Sequence, residues 1–195
     1  MANVLVVYAT REGQTRKVAE RIGTTLRLSG HKVDVLDVER APARVDVQQY
    51  HAVFVGSPVR AQRYLRPVER FVRAHLPELQ RVPSLFFSVN LAVLSRTSDG
   101  RGQTMKIVDE FLTKTGWRPV RVELVAGALP YTKYSFLVRF VMRRIARKEG
   151  GDTDTSMDHE YTDWNAVDRF AREFVLEVTA PVVAPRARPR VVASR

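Results

Sequence analysis

Short apolar runs recur along this chain, separated by amphipathic stretches. "NVLVVYA" opens the series at Asn3, and "KVDVLDV", "HAVFVGS", "PSLFFSVN" and "PVRVELVAGAL" follow. Runs of this length, rich in Val, Leu and Phe, suit strands buried on both faces. Between them, "QTRKVAERIGTTLRLSG" sets Val18, Ile22 and Leu26 at helical spacing, and Gly30 suits a C-terminal stop. Pro67 fits the first turn of a helix leading into "VERFVRAHL", while Gly56 and Pro58 read as turn residues bracketing the third strand. "QTMKIVDEFLTKTG" puts Ile107, Phe111 and Leu112 on one helical face. "TDWNAVDRFAREFVLEVT" reads as a terminal helix capped by Thr162 or Asp163. "ERAPARVDVQQY", between the second and third strands, is short for a full helix. This alternation predicts an α/β fold with a five-stranded parallel sheet covered on both faces. Residues 1–179 are expected to form one domain, and 180–195, "APVVAPRARPRVVASR", a flexible basic tail.

Composition narrows the chemistry. A net charge of +11 favours anionic partners: nucleic acid, anionic lipid or an acidic small molecule. The absence of cysteine excludes disulfides, thiolate nucleophiles, Fe–S clusters and cysteine-ligated zinc. The first strand starts almost at Met1, which is expected to leave no room for a signal peptide. No apolar run approaches the roughly 20 residues of a spanning helix. His31, His51, His75 and His159 show no ligand spacing and read as structural or surface residues. Asp152, Asp154 and Asp158 lack the central Gly and terminal Glu of a calcium loop, so no metal is expected.

Residues 131 to 155, "YTKYSFLVRFVMRRIARKEGGDTDT", stand apart from the rest. If Tyr134 to Lys148 is helical, Leu137, Val138, Phe140, Val141 and Ile145 share one side. Arg139, Arg143 and Arg147 lie opposite, with Arg144 and Lys148 at the border. Such a segment can lie in a membrane interface with its arginines on anionic headgroups. The arginines can instead pair with carboxylates, for which their planar fork is suited. Nucleic acid is not the expected partner, because no motif or stacking platform accompanies the charge. A core helix with a solvated basic face is the remaining reading.

The first strand runs into "TREGQTR", residues 10 to 16, and then a helix. Free N–H groups and the dipole at a helix N-terminus favour phosphate, and Gly13 permits close backbone approach. The same strand–turn–helix can also be mere capping. Neither the Lys-Ser/Thr ending of a Walker loop nor the three glycines of a dinucleotide fingerprint is present.

T-x-x-G-x-T in this position resembles the phosphate loop of flavodoxins, which implies a flavodoxin-like sheet of order 2-1-3-4-5 and FMN at its carboxyl edge. The resemblance places the phosphate on Thr10, Arg11, Gly13, Gln14 and Thr15, with Glu12 beside them in the cofactor-binding loop. It sets Ser57, Pro58, Val59 and Arg60 on one side of the ring and Ser88, Val89, Asn90 and Leu91 on the other. Asn90 would bond the ring's polar edge or cap its own loop. Arg60 would stabilise reduced, anionic flavin or stand in solvent. Two departures are evident: Glu12 replaces a usual hydroxyl, and the loop after the fourth strand lacks the Tyr that commonly stacks on the flavin.

The wider pattern, from "YATREGQTR" through "GSPVRAQRY", "PSLFFSVNL", "TGWRPVRVELVAGALPYTKY" and "GGDTDT" to "YTDWNAVDRFARE", resembles the quinone-dependent protoporphyrinogen IX dehydrogenases. That resemblance implies six-electron oxidation of protoporphyrinogen IX through FMN to menaquinone or ubiquinone, with no catalytic acid or base assigned. It implies an insertion at about 128–160, with Asp152, Thr153, Asp154 and Thr155 near the flavin, while the glycines of "GGDTDT" read equally as a plain turn. Tyr131, Tyr134, Arg139, Arg143 and Arg144 would meet substrate or lipid, and Leu137, Phe140, Val141 and Ile145 the membrane. The expected location is the cytoplasmic face of the bacterial inner membrane, with oligomeric state open. An NAD(P)H:quinone oxidoreductase and an electron-transfer flavodoxin are the alternatives.

Overall fold

Helices cover both faces of the central sheet, which is why its three inner strands are apolar without alternation. The computed structural model describes residues 1–40, 45–94, 100–129, 154 and 156–180. The expected helix at 134–148 and the tail beyond residue 180 lie outside the described residues. Five parallel strands pair in the order β2-β1-β3-β4-β5. They are β1 (Asn3–Tyr8), β2 (Lys32–Asp37), β3 (Ala52–Pro58), β4 (Ser84–Asn90) and β5 (Arg121–Ala126). In β1, Val4 and Val6 enter one apolar layer with Phe54, Phe87 and Phe174. Leu5 and Val7 enter the other with Val55, Phe86, Phe111 and Trp117. β2 is an edge strand with one well-covered face, which accounts for the polar alternation of "KVDVLD".

The first layer is closed by α1 (Gln14–Leu28) and α5 (Trp164–Thr179), the second by α2 (Arg66–Ala74), α3 (Leu76–Leu79) and α4 (Gly100–Thr115). α1 ends in a Schellman turn: His31 N–H donates to Leu26 O at 3.1 Å and Gly30 N–H to Arg27 O at 3.0 Å. Gly30 has a φ of +84°, as that turn requires. The stretch between β2 and β3 holds a single 3₁₀ turn, Val47–Gln49. Asp163, not Thr162, caps α5, its Oδ1 accepting from Ala166 N–H at 2.9 Å.

Three boundaries differ from the sequence reading. The helix through "VERFVRAHL" stops at Ala74, and Pro77 starts a separate turn of helix, α3. Gly56 lies inside β3, paired with Tyr8 and Phe87, rather than in a turn. The fifth strand ends at Ala126 instead of running to Leu129. Ala128–Leu129 forms β6, which pairs antiparallel with β7 (His159–Glu160). Tyr161 N–H donates to Gly127 O at 3.1 Å and extends this ladder. Ala128–Leu129 and His159–Glu160 therefore lie side by side just beyond the carboxyl end of β5.

A buried carboxylate joins the helices of the first layer. Asp168 on α5 accepts from Arg21 Nε at 2.7 Å, Arg21 Nη2 at 2.5 Å and Thr25 Oγ1 at 2.5 Å. The Arg21 hydrogen bond, followed by that from Thr25, holds the Asp168 pKa below the ordinary carboxylate value despite burial. A depressed folded-state pKa means that this network stabilises the fold above the unfolded carboxylate range. The contribution fades as pH falls from about 4 through the lower folded value. Asp168→Asn is expected to lose about 2 kcal/mol at pH 7, since half-exposed Arg21 is partly resolvated. Urea melts at pH 7 and pH 3.5 should show the difference from the parent shrinking at the lower pH.

Candidate cofactor site

The loops at the carboxyl ends of β1, β3, β4 and β5 surround a cleft with a cavity volume of ≈ 280 Å³. Its floor is the turn into α1. Gly13 occupies the position before the helix with φ 98° and ψ −11°, and its N–H donates to Thr10 Oγ1 at 3.0 Å. No side chain caps α1, and its first turn carries no acid. The first N–H groups of the helix are thus left to an acceptor from outside.

The Gln14 side chain is committed elsewhere. Its Nε2 donates to Thr162 Oγ1 at 2.8 Å, and Thr162 Oγ1 donates to Ala126 O at 2.7 Å. This chain of bonds fixes the start of α1 against the end of β5. Lys17 adds a 2.7 Å ion pair to Glu160 on β7, so the base of the insertion is tied to the same helix.

Pro58, Val59, Arg60 and Ala61 form one wall, with Val89, Asn90 and Leu91 opposite. Thr10, Arg11, Glu12, Gln14 and Thr15 lie on the floor side, Thr15 with its side chain buried. The sequence reading did not include Ala61, Gly127 and Ala128, which also line the cleft. Gly127 had a usable signal: a glycine directly after a central strand, at the edge where such sheets bind ligands.

Ser57 and Ser88 are fully buried, and neither lines the cleft. Ser57 Oγ accepts from Leu65 N–H at 3.2 Å, and Ser88 Oγ accepts from Tyr64 OH at 2.7 Å. Burial pushes the Tyr64 pKa far up, so its hydroxyl stays protonated and donating. Both serines brace the segment after β3 from behind. Asp154 is exposed and organises the return of the insertion: its Oδ1 accepts from Ser156 N–H at 2.9 Å, and its carbonyl lies 2.8 Å from His159 Nε2. Asp152, Thr153 and Thr155 lie outside the described residues, as do Tyr131, Tyr134, Leu137, Arg139, Phe140, Val141, Arg143, Arg144 and Ile145.

Two polar features decide what the cleft can hold. Asn90 Oδ1 accepts from Val93 N–H at 3.2 Å, so the side chain does cap its loop. Its buried Nδ2 has no partner among the described residues. An orphaned buried donor on a cleft wall calls for an acceptor. Glu12 Oε1 meets Arg60 Nη1 at 3.1 Å, across from the floor to the wall. That pairing explains how an acid is tolerated in a loop suited to phosphate. A free helix N-terminus, apolar walls and a spare amide donor fit a phosphorylated, flat heterocycle with acceptor edges, as a flavin is.

Sheet order, loop placement and cleft define a protein of the flavodoxin-like class. A family model described as "Flavodoxin domain" matches residues 5–156. Among solved structures, a short-chain flavodoxin associated with a non-canonical PDU bacterial microcompartment aligns at a TM-score of 0.55. It is 15% identical and covers 92% of this chain and 100% of that one. A flavodoxin from the domain Archaea gives 0.53 at 17% identity, covering 90% and 98%. The protoporphyrinogen IX dehydrogenase (quinone) of Escherichia coli K12 is 37% identical over 169 residues, 87% of this chain and 92% of its own. The Leishmania major protein of the same name is 33% identical over 185 residues, 94% and 79% respectively. The chain belongs to the flavodoxin-domain family and, within it, to the family of these dehydrogenases.

Proposed function

We propose that this protein oxidises protoporphyrinogen IX to protoporphyrin IX, with FMN as its cofactor and a membrane quinone as acceptor. Three two-electron steps remove six hydrogens from the substrate, and three quinones become three quinols. The observation that carries this reading is the planting of the insertion on the lip of the cleft. Gly127 and Ala128 line the cleft, and β6 and β7 close the base of the segment immediately beyond them. An electron carrier needs no such addition beside its cofactor.

Bound FMN supplies the redox chemistry that the polypeptide's side chains lack. The chain's own residues hold and shield it. N–H groups of the first α1 turn take the phosphate, Asn90 Nδ2 gives its hydrogen bond to an acceptor edge, and Pro58, Val59 and Leu91 exclude water. Anaerobic mixing of the purified protein with protoporphyrinogen IX, with and without quinone, tests the reading. Porphyrin fluorescence should rise when quinone is added and stay flat without it. Flavin bleaching by NAD(P)H with no porphyrin formed would replace this reading with that of an NAD(P)H:quinone oxidoreductase.

The location belongs to the same proposal: peripheral attachment to the cytoplasmic face of the inner membrane. Substrate and quinone are both poorly soluble, and the chain carries a net charge of +11. Among the described residues no helix is long and apolar enough to cross a membrane. Leu137, Phe140, Val141 and Ile145 give the insertion its apolar sequence pattern. Replacing Leu137, Phe140 and Val141 by Ser is expected to abolish most sedimentation with anionic vesicles while flavin content is kept. Unchanged sedimentation would place attachment elsewhere.

A further inference from the structure

The turn after β3 brings two arginines together at some cost to itself. Arg60 N–H donates to Arg63 O at 2.8 Å and Arg63 N–H to Arg60 O at 3.0 Å, making an isolated antiparallel pair. Residues paired in this way put their side chains on one face, where like charges repel. The two residues between them, Ala61 and Gln62, have φ of 46° and 59°. A turn of this left-handed kind is ordinarily made by Asn-Gly, so Ala and Gln are strained here. Backbone strain and charge repulsion thus coincide in four residues, of which Arg60 and Ala61 line the cleft and Gln62 and Arg63 line the adjoining recess. Such coincidences mark places where a ligand offsets the cost.

The surrounding charges leave this pair available. Both arginines are exposed. Arg60 uses Nη1 on Glu12, while Arg63 makes no ion pair among the described residues. Arg63 opens onto a recess that it shares with Arg66, Glu69, Glu110 and Lys114. Glu69 is already held by Lys114 at 2.8 Å and Arg73 at 3.3 Å, so Glu110 is the uncommitted acid there. Arg66 likewise has no ion pair among the described residues, which leaves cations in excess.

We propose that Arg60 and Arg63 form a carboxylate-recognising pair that holds the two propionates of the tetrapyrrole outside the cleft, with its apolar edge directed inward. This rests on the dehydrogenase reading and adds residues that set substrate specificity. Two arginines on one turn, Arg60 at the cleft and Arg63 at the adjoining recess, suit two carboxylates carried on adjacent pyrrole rings, and Arg gives each a planar, charge-assisted contact.

The test is the affinity of the FMN-loaded full chain for protoporphyrin IX and for its dimethyl ester, by equilibrium dialysis in neutral detergent. The parent should prefer the diacid. Arg63→Gln should weaken diacid binding about tenfold, leave ester binding alone and erase most of the preference. Arg60→Gln/Arg63→Gln, assayed at FMN concentrations that saturate it because Arg60 also pairs with Glu12 beside the cleft, should erase it fully, with far-ultraviolet circular dichroism and thermal unfolding confirming a folded protein. An unchanged diacid-to-ester ratio in both variants overturns the proposal. So does loss of binding to anionic vesicles with diacid affinity intact, which would mark a lipid contact instead. Quinone-dependent porphyrin formation by the parent separates the two levels. If it is seen while the ratio is unmoved, this pair alone is refuted; if it is missing, the dehydrogenase reading falls and the pair's role with it.

Discussion

Gly56→Ala is expected to destabilise the protein by about 3 kcal/mol or more, a large part of what a domain of this size possesses. A Cβ at position 56 would lie 2.0, 2.2 and 2.7 Å from Cζ, Cε2 and Cε1 of Phe87. That ring is fully buried and packs in the same layer as Phe54, Val89 and Phe174. Close-packed interiors cannot move an aromatic ring aside by more than an ångström without disturbing its neighbours. The backbone cannot yield either, because Gly56 is held between Tyr8 on β1 and Phe87 on β4. Urea unfolding should show a much lower midpoint, or the variant should be recovered mainly as aggregate. Phe87→Leu should rescue it in part, so that the double variant loses less than the sum of the singles. A midpoint equal to the parent's would mean that the ring has room that the packing denies it.

The misreading of Gly56 shows where the sequence stops being legible. Gly-x-Pro after an apolar run has the composition of a turn, and local chemistry gives no other reading. The reason for the glycine is a ring on a neighbouring strand, which is a tertiary fact. The strands themselves were legible because a doubly covered parallel sheet writes itself as apolar runs. The turn of the first loop was legible because Thr10 and Gly13 lie three residues apart, and the structure joins them by a 3.0 Å bond at a positive φ. Ser57 and Ser88 were expected to flank the ring, yet they lie inside β3 and β4, and each hydroxyl serves a bond behind the wall, to Leu65 and Tyr64, that spacing cannot reveal. The β6–β7 ladder joins two-residue strands about thirty positions apart, too short to show any periodicity. Ala61 and Gln62 carry no sequence sign of a left-handed turn; their conformation follows from the pairing of Arg60 with Arg63.

Gly13→Val is expected to abolish flavin binding while leaving the fold largely intact. The two effects separate because the position is strained but not crowded. A Cβ there would meet nothing nearer than Arg16 Nη2 at 3.9 Å, so the core does not object. The objection comes from the backbone: φ is +98°, and a β-branched residue strongly resists that region. Valine would relax to negative φ, break the 3.0 Å bond from the residue-13 N–H to Thr10 Oγ1, and turn the first N–H groups of α1 away from their present line. Each charge-assisted bond lost to a phosphate is worth roughly 1.5–3 kcal/mol. Losing two would weaken FMN binding by at least about a hundredfold. The purified variant should therefore be colourless, and titration of its apo form should show little binding at FMN concentrations that saturate the parent. Thermal unfolding of the two apo proteins should differ by a few degrees at most. Gly13→Asn sharpens the experiment, since asparagine tolerates positive φ far better and should keep a substantial part of the flavin. If the valine variant stays yellow with normal flavin content, the phosphate is not held by this turn, and the cofactor must be bound through the walls formed by Pro58–Ala61 and Val89–Leu91 instead.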